Sequence, residues 1–64
     1  MDYMIFDNLG NMVDWFDDRD AALKCLAALV RSEPDQVDAF LTAWDENGRL
    51  TDDSVMGAEL LVPA

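Results

Sequence analysis

The sequence predicts a small α+β domain: an antiparallel sheet of two β-hairpins packed on one amphipathic helix, in the order ββαββ. Three observations predict it. An acidic, glycine-centred turn pattern occurs twice, one stretch between the two occurrences has helical periodicity, and apolar residues alternate in strand fashion around the first turn. The two turns lie in "FDNLGNMVDWFDD", residues 6–18, and "WDENGRLTDD", residues 44–53. At an offset of 38 they align Phe6 with Trp44, Asp7 with Asp45, Gly10 with Gly48, Met12 with Leu50 and Asp14 with Asp52. Local hairpin chemistry is enough to produce such an echo.

Taken in order, residues 2–6 and 11–16 are rich in Tyr, Ile, Phe, Val, Met and Trp. Between them "DNLGN" offers a short loop with Gly10 where a positive φ is needed, as in a type I turn closed by a glycine bulge. The stretch "DDRDAALKCLAALVRSEP" reads as a helix, with Asp17 or Asp18 as N-cap, acids in the first turn, Arg31 in the last and Pro34 beyond its end. On a helical wheel Ala22, Leu23, Leu26, Leu29 and Val30 share one face, while Asp20, Lys24 and Arg31 point away. The segment "PDQVDAFLTAW" fits two templates. Val37, Phe40, Leu41 and Trp44 have helical spacing, with Gly48 as a C-terminal glycine, whereas Phe40, Thr42 and Trp44 are good strand formers on one face. The second hairpin pattern favours a turn of helix and then a strand from about residue 39. The alternative fold is a β-hairpin followed by two or three helices. The tail "SVMGAELLVPA", interrupted by Gly57 and Pro63, adds a short helical turn or an edge segment.

A chain of 64 residues makes one domain, residues 1–64, which buries only about 60% of the surface its unfolded chain exposes. Its 52% hydrophobic content is that of a folded protein and not of a disordered acidic tail. With a single cysteine no intrachain disulfide can add stability, so association with a second copy or another protein is expected. Cys25, between Lys24 and Leu26, reads as a small structural hydrophobe. The N-terminus "MDYMIFDN" lacks the basic and apolar regions of a signal peptide, and no run approaches the roughly 20 apolar residues of a membrane span. A cytoplasmic location without membrane contact is the expectation.

Fourteen acids face four cations, for a formal net charge of −10. Such a field repels phosphate and anionic lipid and steers basic protein surfaces toward the chain. Direct nucleic-acid binding is therefore not expected; the partner called for is a basic or nucleic-acid-binding protein. Its candidate contacts are Asp14, Asp17, Asp18, Asp20, Asp45, Glu46, Asp52 and Asp53. Turn and capping chemistry accounts for some of these by itself. Carboxylates two apart on a strand are about 6.7 Å apart, comparable to neighbouring phosphates, so the sharpest form is a nucleic-acid mimic of the anti-restriction or anti-CRISPR kind.

Catalytic and metal readings find little support. "DENGRLTDDS" resembles a calcium loop, but with Gly48 as the central glycine its first and closing positions are Ala43 and Ser54, which carry no carboxylate. One Cys and no His leave the usual zinc ligand sets unfilled. There is no His base, phosphate loop or nucleophile motif, and a fold this small encloses even about 300 Å³ with difficulty. No enzyme activity, metal or cofactor is expected.

The apolar residues say more. Strict alternation in the first hairpin places Tyr3, Ile5, Val13 and Trp15 on one face and Met4, Phe6, Met12 and Phe16 on the other. One helix cannot cover both. The second face needs the C-terminal tail, another copy of the chain or a different protein as cover, and Met4, Phe6, Met12, Phe16 and Trp44 are its candidate contacts.

The order hairpin, helix, hairpin, carried by "IFDNLGNMVDWFDDRDAALKCLAALV", "WDENGRL" and "GAELL", resembles short acidic proteins of actinobacterial or actinophage type over nearly the whole chain. The resemblance implies no activity and no site residues. The leading expectation is a non-enzymatic acidic interaction module that binds a basic protein surface. The alternatives are an antitoxin-like or accessory subunit associating through an apolar sheet face, as a homodimer or with another chain, and a calcium-binding module.

Overall fold

A computed structural model describes residues 1–61; residues 62–64, including the Pro63 expected to interrupt the tail, lie outside the described residues. Strands β1 (Asp2–Phe6) and β2 (Met12–Phe16) are followed by helix α1 (Arg19–Ser32), then β3 (Phe40–Trp44) and β4 (Leu50–Met56). Short 3₁₀ turns occupy Pro34–Gln36 and Gly57–Leu61. The strands form one antiparallel sheet in the order β2-β1-β3-β4, with α1 on one side of it. The ββαββ expectation is met, and "PDQVDAFLTAW" resolves into a 3₁₀ turn and a strand.

Both hairpins close in the same way. In the first, the Gly10 N–H donates to the Asp7 carbonyl at 3.0 Å and the Asp7 N–H to the Asn11 carbonyl at 2.9 Å. In the second, Gly48, Asp45 and Arg49 repeat the pattern at 3.0 and 2.9 Å. Gly10 and Gly48 have φ of 84° and 74°, the left-handed conformation a glycine adopts without penalty. Each aspartate also braces its own turn: Asp7 Oδ1 accepts from the Leu9 and Asn11 amides, and Asp45 Oδ1 from the Asn47 and Arg49 amides, all at 2.9 Å. The two copies meet at the centre of the sheet, where Met4 lies opposite Thr42, its equivalent at the offset of 38.

The helix starts at Asp18, whose extended backbone (φ −123°, ψ 126°) and side chain, accepting from the Ala21 N–H at 3.0 Å, make it the N-cap. It stops at Glu33, whose N–H bonds to Leu29 O at 2.9 Å, one residue before Pro34. Ala22, Leu26 and Val30, one turn apart, form the buried stripe. They pack on Tyr3 and Ile5 of β1 and on Ala39, Leu41 and Ala43, and this is the core. The tail joins the helix side: the Gly57 N–H bonds to Ala39 O at 2.7 Å, the Ala58 N–H to Val37 O at 3.0 Å, and Leu60 packs on the core.

Candidate docking surface: the open face of the sheet

Because side chains alternate along a strand, the pairing register decides what each face carries. In β1 and β3 the helix takes the odd-numbered residues, which leaves Asp2, Met4 and Phe6 facing away beside Phe40, Thr42 and Trp44. Met56, Ser54 and Leu50 of β4 continue that face opposite Phe40, Thr42 and Trp44. Met12 and Trp15 of β2 complete it opposite Phe6 and Met4.

That arrangement corrects the expected alternation in β2. Ile5 pairs with Asp14 while Phe6 pairs with Met12, so one extra residue, Val13, is accommodated as a bulge. A one-residue slip exchanges the faces beyond it. Phe16, expected beside Met4 and Phe6, instead lies opposite Tyr3 and packs on the core from the helix side. Trp15 takes its place on the open face. In the second hairpin the slip amounts to two residues, Thr42 pairing with Ser54 but Trp44 with Leu50, so the alternation in β4 survives.

Met12 (54%), Trp15 (46%), Leu50 (58%) and Met56 (42%) are all strongly exposed. Met4, Phe6, Phe40 and Trp44 between them are half-buried by one another. Phe6 and Phe40 stack with ring centroids 5.2 Å apart, and the Trp44 indole N–H donates to Thr42 Oγ1 at 3.0 Å, which satisfies it within the face. Among the described residues no element covers this surface, since α1 and the Gly57–Leu61 turn both lie on the other side. The tail, one of the three expected covers, is engaged there as far as it is described.

The edges of the sheet are partly closed to strand addition. The Trp15 N–H donates to the carboxylate of Asp14 at 2.8 Å and the Met56 N–H to the Glu59 carboxylate at 2.7 Å. Side-chain acceptors thus occupy amides of both edge strands that a docking strand would use.

The structure does not gather the predicted carboxylates on one face. Asp17, Asp18, Asp20, Asp45 and Glu46 belong to the end of the sheet shared by the helix N-terminus and the β3–β4 turn. Asp14 lies on the helix side of β2, level with Ile5. Asp52 and Asp53, adjacent on β4, point to opposite faces. Asp53 is held by Arg19 through Nε–Oδ2 at 2.9 Å and Nη2–Oδ1 at 3.0 Å, and the guanidinium keeps its carboxyl below the usual aspartate range. Glu33, Asp35 and Asp38 lie at the opposite end. Only Asp2 and Asp52 stand on the strands of the open face, whose strand positions hold no Lys or Arg.

On the other side of the molecule a shallow open groove of about 400 Å³ is lined by Leu23, Lys24, Ala27, Ala28, Arg31 and Leu60. It is an open depression and not an enclosed cavity, and its walls are aliphatic and cationic. Among the described residues no three Asp, Glu or Cys side chains come together as a metal site, and no polar side chain is buried.

No protein-family model, curated protein or solved structure matches the chain. The functional reading therefore rests on its own surface. Sequence reasoning identified Met4, Phe6, Met12 and Trp44 as members of the open face and omitted Trp15, Phe40, Leu50 and Met56 from it. The alternation of Leu50, Asp52, Ser54 and Met56 was a usable signal for β4; nothing in the residues announced the bulge that turned Trp15 outward.

Proposed function

We propose that this protein is a non-enzymatic interaction module that docks another protein through the open apolar face of its sheet, with the surrounding carboxylates favouring a basic partner. The observation that carries the reading is the uncovered face itself. An antiparallel sheet that turns one side to water ordinarily carries polar residues there, and here the same positions hold four aromatic rings, three methionines and Leu50. Buried aromatic and aliphatic contacts would supply affinity, and the charge of −10 would supply attraction and selectivity. The spread of the carboxylates over both ends and both faces supports the apolar face, rather than a phosphate-like array, as the contact surface.

The test is affinity capture from nuclease-treated lysate of the source cell with three baits: the native chain, a Met12→Glu/Met56→Glu variant of the open face, and an Arg31→Gln variant of the helix side. The reading expects a protein retained by the native and Arg31→Gln baits and lost with the open-face variant. Equal retention by all three would refute it. Elution at moderate salt would assign a share to charge, and retention at high salt would assign the binding to the apolar contacts.

A further inference from the structure

We infer that the occupant of the open face is an amphipathic helix of another protein, apolar on one side and flanked by Lys or Arg. The inference rests on the docking reading above and names the shape and charge of what docks. On its other side the same sheet carries α1, which packs on β1, β2 and β3 and, at 14 residues, is about 21 Å long at 1.5 Å per residue. The molecule measures 34 × 27 × 17 Å, so its broad sides leave room for a second helix of that length. A sheet with helices on both faces is a stable layer arrangement, and this chain supplies one of the two.

The strand positions of the open face hold Asp2 and Asp52 and no Lys or Arg; Arg19 is engaged with Asp53, Lys24 and Arg31 border the groove on the helix side, and Arg49 closes the β3–β4 turn. Two copies placed face to face would bring together two chains of −10 each, whereas a helix with basic flanks meets carboxylates around an apolar centre. With the outward-facing Trp15 and Met56 amides already bonded to side chains, an added strand finds a donor occupied on each edge, and a helix needs none of them.

Trp15 and Trp44 are the only tryptophans of the chain and both lie on this face, so their emission reports its occupation without a label. The probe is a synthetic tryptophan-free peptide of about 18 residues, roughly 27 Å as a helix, with a leucine face flanked by lysines. Its controls are the same composition scrambled to destroy the apolar face and a version with glutamate for lysine. The inference expects a saturable blue shift with the basic amphipathic peptide. Affinity should be at least about tenfold weaker for either control and for the Met12→Glu/Met56→Glu variant, and unchanged for Arg31→Gln. Equal binding of the scrambled peptide would overturn it in favour of charge alone. A blue shift that appears on concentrating the protein by itself and not on adding peptide would make a second copy the occupant, overturning the helix while leaving the docking face in place. Emission already blue at every dilution, with no response to any peptide, would mean that the chain covers its own face and would remove both readings.

Discussion

Gly57 and Gly48 are both glycines for structural reasons, but the reasons differ and so do the expected consequences of replacing them. A Cβ on Gly57 would lie 2.5 Å from Val30 Cγ2 and 3.2 and 3.3 Å from the carbonyl oxygens of Gln36 and Ala39, two of which are backbone that cannot swing aside. Gly57→Ala should therefore cost about 1–3 kcal/mol by overpacking. At Gly48 there is open space, and the penalty of Ala is that of a left-handed backbone alone, about 1–2 kcal/mol. Gly48→Asn should recover part of it, because Asn tolerates that conformation, while Gly57→Asn should not. Urea melts of the four variants decide this. Cys25 makes a second test at the same scale. Burial, with the Asp14 carboxylate adding to it, pushes its thiol up, so little thiolate is present near neutral pH. Iodoacetamide should modify the native protein more slowly than the urea-unfolded chain at the same pH; equal rates would contradict the structural reading of this cysteine.

At the scale of the elements, the two adjacent candidates for the helix cap separate. Asp18 accepts the Ala21 amide, so Asp18→Ala should lower stability by about 1 kcal/mol, whereas Asp17→Ala on the surface should stay within about 0.5 kcal/mol of the native chain. A reversed order in chemical denaturation would mean that the helix starts elsewhere. The Arg19–Asp53 pair ties the start of α1 to β4. Because the folded pKa of Asp53 is lowered, its contribution is fully present above the unfolded value of about 3.9 and is lost as pH falls through the folded value. Asp53→Asn should therefore flatten the acid limb of a stability profile below about pH 4 and leave its neutral and alkaline parts parallel to the native curve. Both partners are exposed, so the effect should shrink in salt. The elements themselves were legible in the residues: Gly10 and Gly48 announced the turns, the Asp18 to Pro34 punctuation announced the helix, and the spacing of Ala22, Leu26 and Val30 announced its buried side. The residue-level register of β2 was not, because a bulge is a compromise between two strands and leaves no mark on either one alone.

For the molecule as a whole, ten uncompensated charges on a 64-residue chain work against the compact state. Moderate salt shortens the range of that repulsion, so the melting temperature should rise between about 10 mM and 150 mM NaCl, where the Debye length falls from about 30 to 8 Å. A fall would mean that attractive pairs such as Arg19–Asp53 outweigh the net repulsion. The same distribution explains why carboxylates were a poor guide to the contact surface. Asp7, Asp45 and Asp18 are spent on turns and a cap, Asp14 on an edge amide and Asp53 on Arg19, which leaves Asp2 and Asp52 on the face that offers apolar area.

The sequence by itself determined the elements, their order and the presence of more apolar surface than one helix can cover, because turn chemistry, helix capping and periodicity are properties of neighbours along the chain. Only the tertiary structure decided which surface was left over. The small residues Ala39, just before β3, and Ala43 within it took the helix side, the bulge at Val13 moved Trp15 outward and Phe16 inward, and the tail packed against Val30 on the helix side and left the open face uncovered. Each of these follows from how separate segments fit against one another, and that fit is settled by packing among residues distant in the chain.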